Sequence, residues 1–399
     1  MPEIKPSLHA YRGVPYAKAE RFAEPHLLSF DASLDYSERG PMCPQFHVEG
    51  DRKWGDTGHC EQSDDCLVLS VYTPVAYGEQ VAELLPVFVY VHGGAYRHGG
   101  SEQKLSDLSE LAEREHVVCV SISYRLGCFG YLYDPGFVPV NLALQDQMTA
   151  LRWVVANIRS FGGDPSRITL GGQSAGAQSV AFLLAELKEP LVRQALLFSA
   201  PLGLGLSASK AEKMAAAFYR ALGGGNVDAG RQKLRTASSD ELLAAQYAME
   251  QQFRKGMAFQ PVACRHIPDE WRCGLKRAVV TTQADDGSLY VPRLIRGLVT
   301  WYAFAHPSGK YVRYLLKQGV RAQYHRFTWQ AEGSSYGVAH CSELPLFAGY
   351  ADTWPGAIFM GTADASTIAR LRDAFIPRLG LYLRTGEWTV PSDISSVTD

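Results

Sequence analysis

Residues 167–184 read RITLGGQSAGAQSVAFLL and place a strand-like run, a Gly-x-Ser-x-Gly turn and a helix-compatible run in direct succession. A serine on so sharp a turn takes a strained backbone conformation, which is tolerated only when the residues two before and two after it lack side chains. Gly172 and Gly176 meet this demand around Ser174. A helix that begins at the serine also directs free N–H groups and its positive dipole end toward a developing oxyanion. The stretch therefore predicts that Ser174 is a catalytic nucleophile.

The rest of the chain alternates between short apolar runs and longer helical patterns. A helical pattern covers about 142–160, and strand-like runs lie at 67–73, 86–92, 117–123, 167–172, 278–283 and 323–330. Continuous apolar strands of this kind suit a parallel sheet that is covered on both faces. We predict an α/β class with a central, mostly parallel twisted sheet and helices on both faces. No linker divides residues 1–399, so we expect one domain, with a helical excursion at about 200–260, a short C-terminal helical region at about 350–399 and a tail after Trp388.

Composition excludes several classes of function. The 39 Lys and Arg residues nearly balance the 41 Asp and Glu residues and form no clustered basic stripe, so we expect no nucleic-acid partner. No apolar run reaches the roughly eighteen residues that span a bilayer, and the first residues lack an apolar signal core, so we expect no membrane partner and a cytoplasmic location. The eight cysteines form no C-x-x-C or C-x-x-C-H arrangement, so we expect no metal site, neither zinc nor haem.

A serine nucleophile needs a base, a carboxylate that orients the base, and donors for the oxyanion. In VHGGAY at 91–96, small residues let the backbone N–H groups of Gly94 and Ala95 join that of Ala175 as oxyanion donors. Of the eleven histidines, His340 lies on a glycine-bearing loop after a strand, where a base would sit. At the end of the strand at 278–283 stand two adjacent aspartates, Asp285 and Asp286, and either could be the acid.

With these residues in place, the sequence resembles the type B carboxylesterases, the family of the cholinesterases and the bacterial p-nitrobenzyl-type esterases. The resemblance covers most of the chain, and its markers appear in order: YRGVPYA at 11–17, RFAEP at 21–25, CPQ at 43–45, SDDCLVLSVYTP at 63–74, VYVHGGAY at 89–96, SYRLGCFGYL at 123–132, the stretch 141–176, ADDG at 284–287 and GVAHCSELP at 337–345. This resemblance implies an α/β-hydrolase fold, in a shortened form, and ester hydrolysis without a cofactor.

The resemblance also assigns individual residues. It favours Asp286 as the acid, with Asp285 as the alternative, and it places His340 as the base. It implies that Ser199 lies close behind the catalytic residues and that Asp64 and Arg125 form a structural salt bridge.

The sequence departs from the family pattern directly before the nucleophile. Gln173 stands where the family usually has Glu, which removes a negative charge beside the site and argues against cationic choline esters. Cys43 and Cys66 match positions that are disulfide-linked in secreted animal members, and we expect them to be reduced here. Candidate pocket-lining aromatic residues are Trp54, Tyr96, Phe129 and Tyr131.

We therefore predict a serine carboxylesterase that hydrolyses small, mostly uncharged carboxylic esters through an acyl-enzyme on Ser174. Two alternatives remain. One is a non-catalytic binding protein on the same fold, and the other is an amidase or peptidase with the same catalytic residues.

Overall fold

The computed structural model describes residues 8–46, 54–253, 258–262, 264–268 and 271–389. The predicted tail after Trp388 lies outside the described residues from position 390 onward, as does that part of the predicted C-terminal helical region.

The described strands are β1 (His9–Pro15), β2 (Ala17–Lys18), β3 (His26–Leu27), β4 (Val68–Thr73), β5 (Leu85–Val91), β6 (Val118–Ile122), β7 (Gly163–Gln173), β8 (Gln194–Phe198), β9 (Arg277–Gln283) and β10 (Arg321–Phe327). Eight of them form one central sheet in the spatial order β1-β4-β6-β5-β7-β8-β9-β10. From β6 to β10 in this order each strand pairs parallel with the next, whereas β4 pairs antiparallel with both β1 and β6. A separate two-stranded ribbon joins β2 and β3.

Helices follow most of the strands, as the alternating sequence pattern predicts. They are α1 (Ser109–Glu115), α2 (Gly127–Tyr131), α3 (Leu142–Asn157), α4 (Ala175–Glu186), α5 (Ala208–Leu222), α6 (Val227–Lys233), α7 (Ser239–Phe253), α8 (Arg296–Val299), α9 (His306–Lys317) and α10 (Ala365–Thr385). The predicted helical excursion consists of α5, α6 and α7, and the last predicted helix is α10. A π-helix at Thr300–Ala305 lies directly between α8 and α9.

The central strand β5 shows why the sheet is covered on both faces. Successive side chains of a strand point to opposite faces. Val89 packs in one apolar core together with Trp153 of α3. Its neighbour Tyr90 packs in a second core together with Leu379 of α10. Both faces of the strand are therefore buried, which explains its uninterrupted apolar sequence and confirms the predicted α/β architecture.

The sheet brings the predicted site residues to one edge. The carboxyl ends of parallel strands lie at the same edge of a sheet, and this edge is where ligand-binding groups gather in open α/β folds. Here β5 ends at Val91 before the glycine loop, β7 ends at Gln173 before Ser174, and β9 ends at Gln283 before the two aspartates.

The predicted salt bridge between Asp64 and Arg125 is wrong. The buried Arg125 instead binds Asp146 of α3, with Nη2 at 2.6 Å from Oδ1 and Nε at 2.9 Å from Oδ2. Asp64 is partly exposed and pairs with Arg21. Asp146 is fully buried, so both charges of the Arg125 pair are shielded from water and satisfy each other through two parallel hydrogen bonds.

Two findings bear on the expected state of the cysteines and on membrane-spanning helices. Cys43 and Cys66 are both buried and free, and the neighbouring Cys43 thiol, together with burial, raises the pKa of Cys66. In the described part of the chain, no helix has the length and apolar character needed to cross a membrane.

The corrected pairing predicts unequal effects of two matched substitutions. Asp146→Asn leaves the Arg125 guanidinium buried without its counter-charge, and we expect the free energy of unfolding to fall by about 3 to 5 kcal/mol. Asp64→Asn removes only a partly exposed partner of Arg21, so we expect a loss below about 1 kcal/mol. Urea unfolding followed by circular dichroism measures both, and equal losses would contradict this account.

Candidate active site

Ser174 lies in the sharp turn that the sequence predicts, between β7 and α4. Its backbone has φ 56° and ψ −124°, a conformation that L-residues rarely adopt. A Cβ atom at Gly176 would lie 2.1 Å from the carbonyl oxygen of Val91, and one at Gly172 would lie 2.6 Å from the backbone of Gly176. The turn therefore closes only because both positions are glycine. Ala175 begins α4, and the first N–H groups of a helix have no acceptor within that helix.

The structure brings Ser174, His340 and Asp286 into one hydrogen-bonded chain. His340 Nε2 lies 2.8 Å from Ser174 Oγ, and His340 Nδ1 lies 2.7 Å from Asp286 Oδ1. The second carboxylate oxygen of Asp286 accepts the backbone N–H of Gln283 at 2.8 Å, which fixes the acid at the end of β9. With Nδ1–H donating to the carboxylate, Nε2 is free to accept the serine proton. This arrangement can activate a hydroxyl for nucleophilic attack.

The neighbouring Asp285 has a different set of contacts. Its Oδ2 accepts the backbone N–H of Val338 at 3.2 Å, and its Oδ1 lies 3.5 Å from Arg296 Nε. Asp285 also forms a parallel β-bridge with Ala339, directly before the histidine. It therefore holds the loop that carries His340, while the adjacent Asp286 contacts the imidazole.

The glycine loop after β5 lies beside the serine in a strained conformation. Gly94 and Ala95 have φ values of 108° and 54°. The ring of His92 fixes the start of this loop, because its Nδ1 lies 2.7 Å from the carbonyl oxygen of Gly93 and it stacks on Tyr124 at 4.4 Å. Burial lowers the pKa of His92 to about 4, so the ring is neutral at pH 7. The sequence contained this residue in its glycine motif, but its supporting role became evident only from the contacts.

A cavity of about 300 Å³ opens beside Ser174, Gly94 and Ala95. Its apolar walls come from Phe46, Trp54, Leu105, Tyr290, Leu344, Trp354 and Phe359. Among the described lining residues there is no Asp, Glu, Lys or Arg. The described residues also contain no group of three or more His, Cys, Asp or Glu side chains that could hold a metal ion.

The four predicted pocket aromatics divide into two sets. Trp54 lines the cavity. The other three, Tyr96, Phe129 and Tyr131, are buried in the core on the α3 and α4 side of the sheet and are absent from the described lining. Tyr96 donates its hydroxyl to Gln178 at 2.9 Å, and its ring lies 4.8 Å from that of Tyr131. The three side chains pack in the apolar core, where they are buried, and so they do not contribute to the described cavity lining.

Gln173 contacts the His340 ring, whereas the placement of Ser199 close behind Ser174, His340 and Asp286 stays a prediction. Gln173 Nε2 is 3.3 Å from His340 Nε2, so the neutral amide contacts the ring where the family usually has a carboxylate. Ser199 is buried directly after β8, with φ 50°. The preceding residue, Phe198, accepts the backbone N–H of Ser174 at 2.8 Å.

Glu343 is a second buried carboxylate near the site, and the sequence did not single it out. Its Oε2 accepts a hydrogen bond from Gln283 Nε2. Burial raises the pKa of Glu343 to about 7, with the nearby His340 opposing the rise and Asp286 adding to it. The only sequence signal was its position three residues after His340 in the motif GVAHCSELP.

Comparisons with known proteins show which family and fold this chain resembles. A family model described as the carboxylesterase family matches residues 2–277. The probable N-octanoylanthranilate hydrolase of Rhodococcus erythropolis is 29% identical over 96% of this chain and 90% of its own length. The para-nitrobenzyl esterase of Bacillus subtilis is 36% identical over 60% of this chain, and that alignment spans 49% of the enzyme. A solved thermophilic pNB esterase structure superposes with a TM-score of 0.83 at 26% identity, covering 100% of this chain and 91% of that one.

The raised pKa of Glu343 predicts a pH-dependent stability. Between pH 4.5 and about 7 the folded protein holds a proton on Glu343 that the unfolded chain has released, so the free energy of unfolding falls as the pH rises. Glu343→Gln keeps an acceptor for Gln283 and does not titrate. We expect the variant's advantage over the native protein to grow by about 2 to 3 kcal/mol from pH 5 to pH 8, measured by urea unfolding. A pH-independent difference would contradict the assignment.

Proposed function

The chain belongs to the carboxylesterase family, and from this we propose that it hydrolyses small, mostly uncharged carboxylic esters through an acyl-enzyme on Ser174. The observation that carries the proposal is the position of His340, whose ring nitrogens contact Ser174 Oγ at 2.8 Å and Asp286 Oδ1 at 2.7 Å. A histidine held between a hydroxyl and a buried carboxylate is the arrangement that makes serine nucleophilic.

In the proposed reaction, Ser174 Oγ attacks the ester carbonyl carbon while its proton passes to His340 Nε2. The carbonyl oxygen becomes an oxyanion, and the backbone N–H groups of Gly94, Ala95 and Ala175 stabilise it. As the bond to the alcohol oxygen breaks, His340 Nε2 returns the proton to the leaving alcohol. A water molecule then attacks the carbonyl carbon of the acyl-enzyme while His340 Nε2 takes its proton. The bond to Ser174 Oγ breaks, the proton passes to Oγ, and the carboxylic acid leaves. Removing one oxyanion donor typically lowers kcat by about 10² to 10³.

The cavity supports the uncharged character of the substrate. Its described lining combines apolar side chains with neutral amides and hydroxyls and has no carboxylate or ammonium group. His92 and His98 are neutral at pH 7, because burial lowers the pKa of each to about 4. Gln173 contributes an amide where a family carboxylate would attract a cation. A charged group transferred into such surroundings would lose its hydration without gaining a counter-charge.

A second reaction class is favoured by one of the relatives. The Rhodococcus protein that aligns over nearly the whole chain is named as a hydrolase of N-octanoylanthranilate, in which the acyl group is joined through an amide. The same catalytic residues can cleave an activated aryl amide, provided that His340 delivers a proton to the leaving nitrogen. We therefore treat aryl amides as the alternative substrates.

We also propose that the protein works in the cytoplasm and without a nucleic-acid partner. All eight cysteines are free, as in a reducing compartment. Acidic and basic residues are nearly balanced, which offers no general attraction to a polyphosphate.

The two adjacent aspartates provide a matched pair of variants. Asp286→Asn removes the charge that orients and stabilises the His340 imidazolium, so we expect kcat for p-nitrophenyl butyrate to fall by about 10⁴. Asp285→Asn changes a group that contacts the loop backbone instead, so we expect less than about a tenfold loss. Steady-state kinetics beside Ser174→Ala, which should retain almost no activity, provide the measurement. An inactive native protein, or a larger loss for Asp285→Asn, would overturn the proposal.

Matched substrates separate the two reaction classes. With p-nitrophenyl butyrate and N-butyryl-p-nitroaniline, an esterase should favour the ester by at least about 10³ in kcat/KM, because the amine is the poorer leaving group. Comparable kcat/KM values for the two substrates would assign the protein to amide hydrolysis instead.

A further inference from the structure

Residues 294–302, which lead into and begin the helical run that extends to residue 317, present apolar side chains to water. Leu294 and Leu298 are 95% and 65% exposed, and Ile295, Trp301 and Tyr302 are exposed as well. The inner face of the same run is also apolar, with Ala303 and Phe304 buried in the protein. A surface helix normally carries polar residues on its outer face. We call the five exposed residues the apolar patch.

The patch adjoins the catalytic cavity. Tyr290, four residues before Leu294, lines the cavity and is half exposed, and its ring lies 5.5 Å from the His340 ring. Phe304, two residues after Tyr302, packs on His340 from the protein side at 5.2 Å. Any surface that covers the patch therefore also faces the entrance to the site.

The sequence segment that contains the patch carries charge of a single sign. Residues 287–331 contain no Asp or Glu but have seven basic residues: Arg293, Arg296, Lys310, Arg313, Lys317, Arg321 and Arg326. Arg296 pairs with Asp285 outside this segment, while Arg293, Lys310, Arg313 and Lys317 are exposed. The rest of the chain carries the compensating acidic charge, since the net charge of the whole protein is −2.

We propose that this face docks on an anionic lipid surface and brings the catalytic cavity to the bilayer interface. Exposed Leu, Ile, Trp and Tyr side chains beside Lys and Arg are the combination that inserts shallowly into a headgroup layer. The docking lets apolar esters pass from lipid to Ser174 without crossing water. We expected no membrane partner because no apolar run is long enough to span a bilayer. Docking on the surface of a bilayer needs no spanning segment.

A second copy of the chain fits the same face less well. Two patches related by a twofold axis would bring basic residues of one copy close to basic residues of the other, which is repulsive. An anionic lipid layer satisfies both the apolar and the basic residues.

Flotation with vesicles tests the docking directly. We expect the full chain to bind vesicles of phosphatidylcholine and phosphatidylglycerol in equal parts, to bind pure phosphatidylcholine vesicles weakly, and to lose binding as salt is raised. Ser174→Ala should bind the vesicles as well as the native protein does. The docking test therefore does not depend on whether the proposed hydrolysis occurs.

Two patch variants and one matched control make the test specific. Leu298→Glu and Leu294→Glu should each lower the vesicle partition coefficient by about tenfold or more, because each places a carboxylate in the interface. Leu34→Glu changes a leucine elsewhere that is 55% exposed, close to the 65% of Leu298, and should leave binding unchanged. All three should retain native turnover of soluble p-nitrophenyl acetate, which shows that they fold.

Several outcomes would overturn the proposal: absence of vesicle binding, binding that the patch variants leave intact, or an equal loss in Leu34→Glu. Sedimentation that shows a dimer broken by Leu298→Glu would assign the patch to a second copy instead.

Discussion

The close approach of Gly176 to the end of β5 is the constraint on which the site depends. The carbonyl oxygen of Val91 lies where a side chain at residue 176 would begin, at 2.1 Å from the ideal Cβ position. This contact lets α4 start immediately after Ser174 and holds the serine at φ 56°. The glycine loop after Val91 is thereby fixed against the first turn of α4, so one packing contact positions both Ser174, the proposed nucleophile, and the proposed oxyanion donors. Strain of this kind persists only when the surrounding structure over-determines it.

The sequence predicted those parts of the molecule that local physics determines. Uninterrupted apolar strands such as β5 indicated a doubly covered parallel sheet, and small residues around Ser174 and Gly94 indicated backbone conformations that side chains forbid. Between Asp285 and Asp286 the residues alone gave no choice, because both follow the same strand; only the family pattern favoured the second. The contacts explain the difference, since one carboxylate meets the His340 ring and the other meets the loop backbone.

The missed and mistaken features all depend on contacts between distant segments. Arg125 pairs with Asp146 because α3 packs beside it, which no local pattern reveals. Tyr96 and Tyr131 belong to the core because α4 presents Gln178 and apolar neighbours to them. Glu343 stands out only because burial raises its pKa, and Asp286, which is distant in the chain, adds to the rise. The sequence position of an aromatic or acidic residue near a glycine loop therefore does not by itself predict which groups that residue contacts.

Covalent labelling of the nucleophile tests the central claim most directly. When the folded protein is treated with a fluorophosphonate near neutral pH, the account predicts a single stoichiometric adduct, which peptide mass spectrometry locates on Ser174 and which Ser174→Ala abolishes. A folded protein that forms no adduct, or that is labelled at another serine, would contradict the assignment of Ser174, His340 and Asp286 as the catalytic residues.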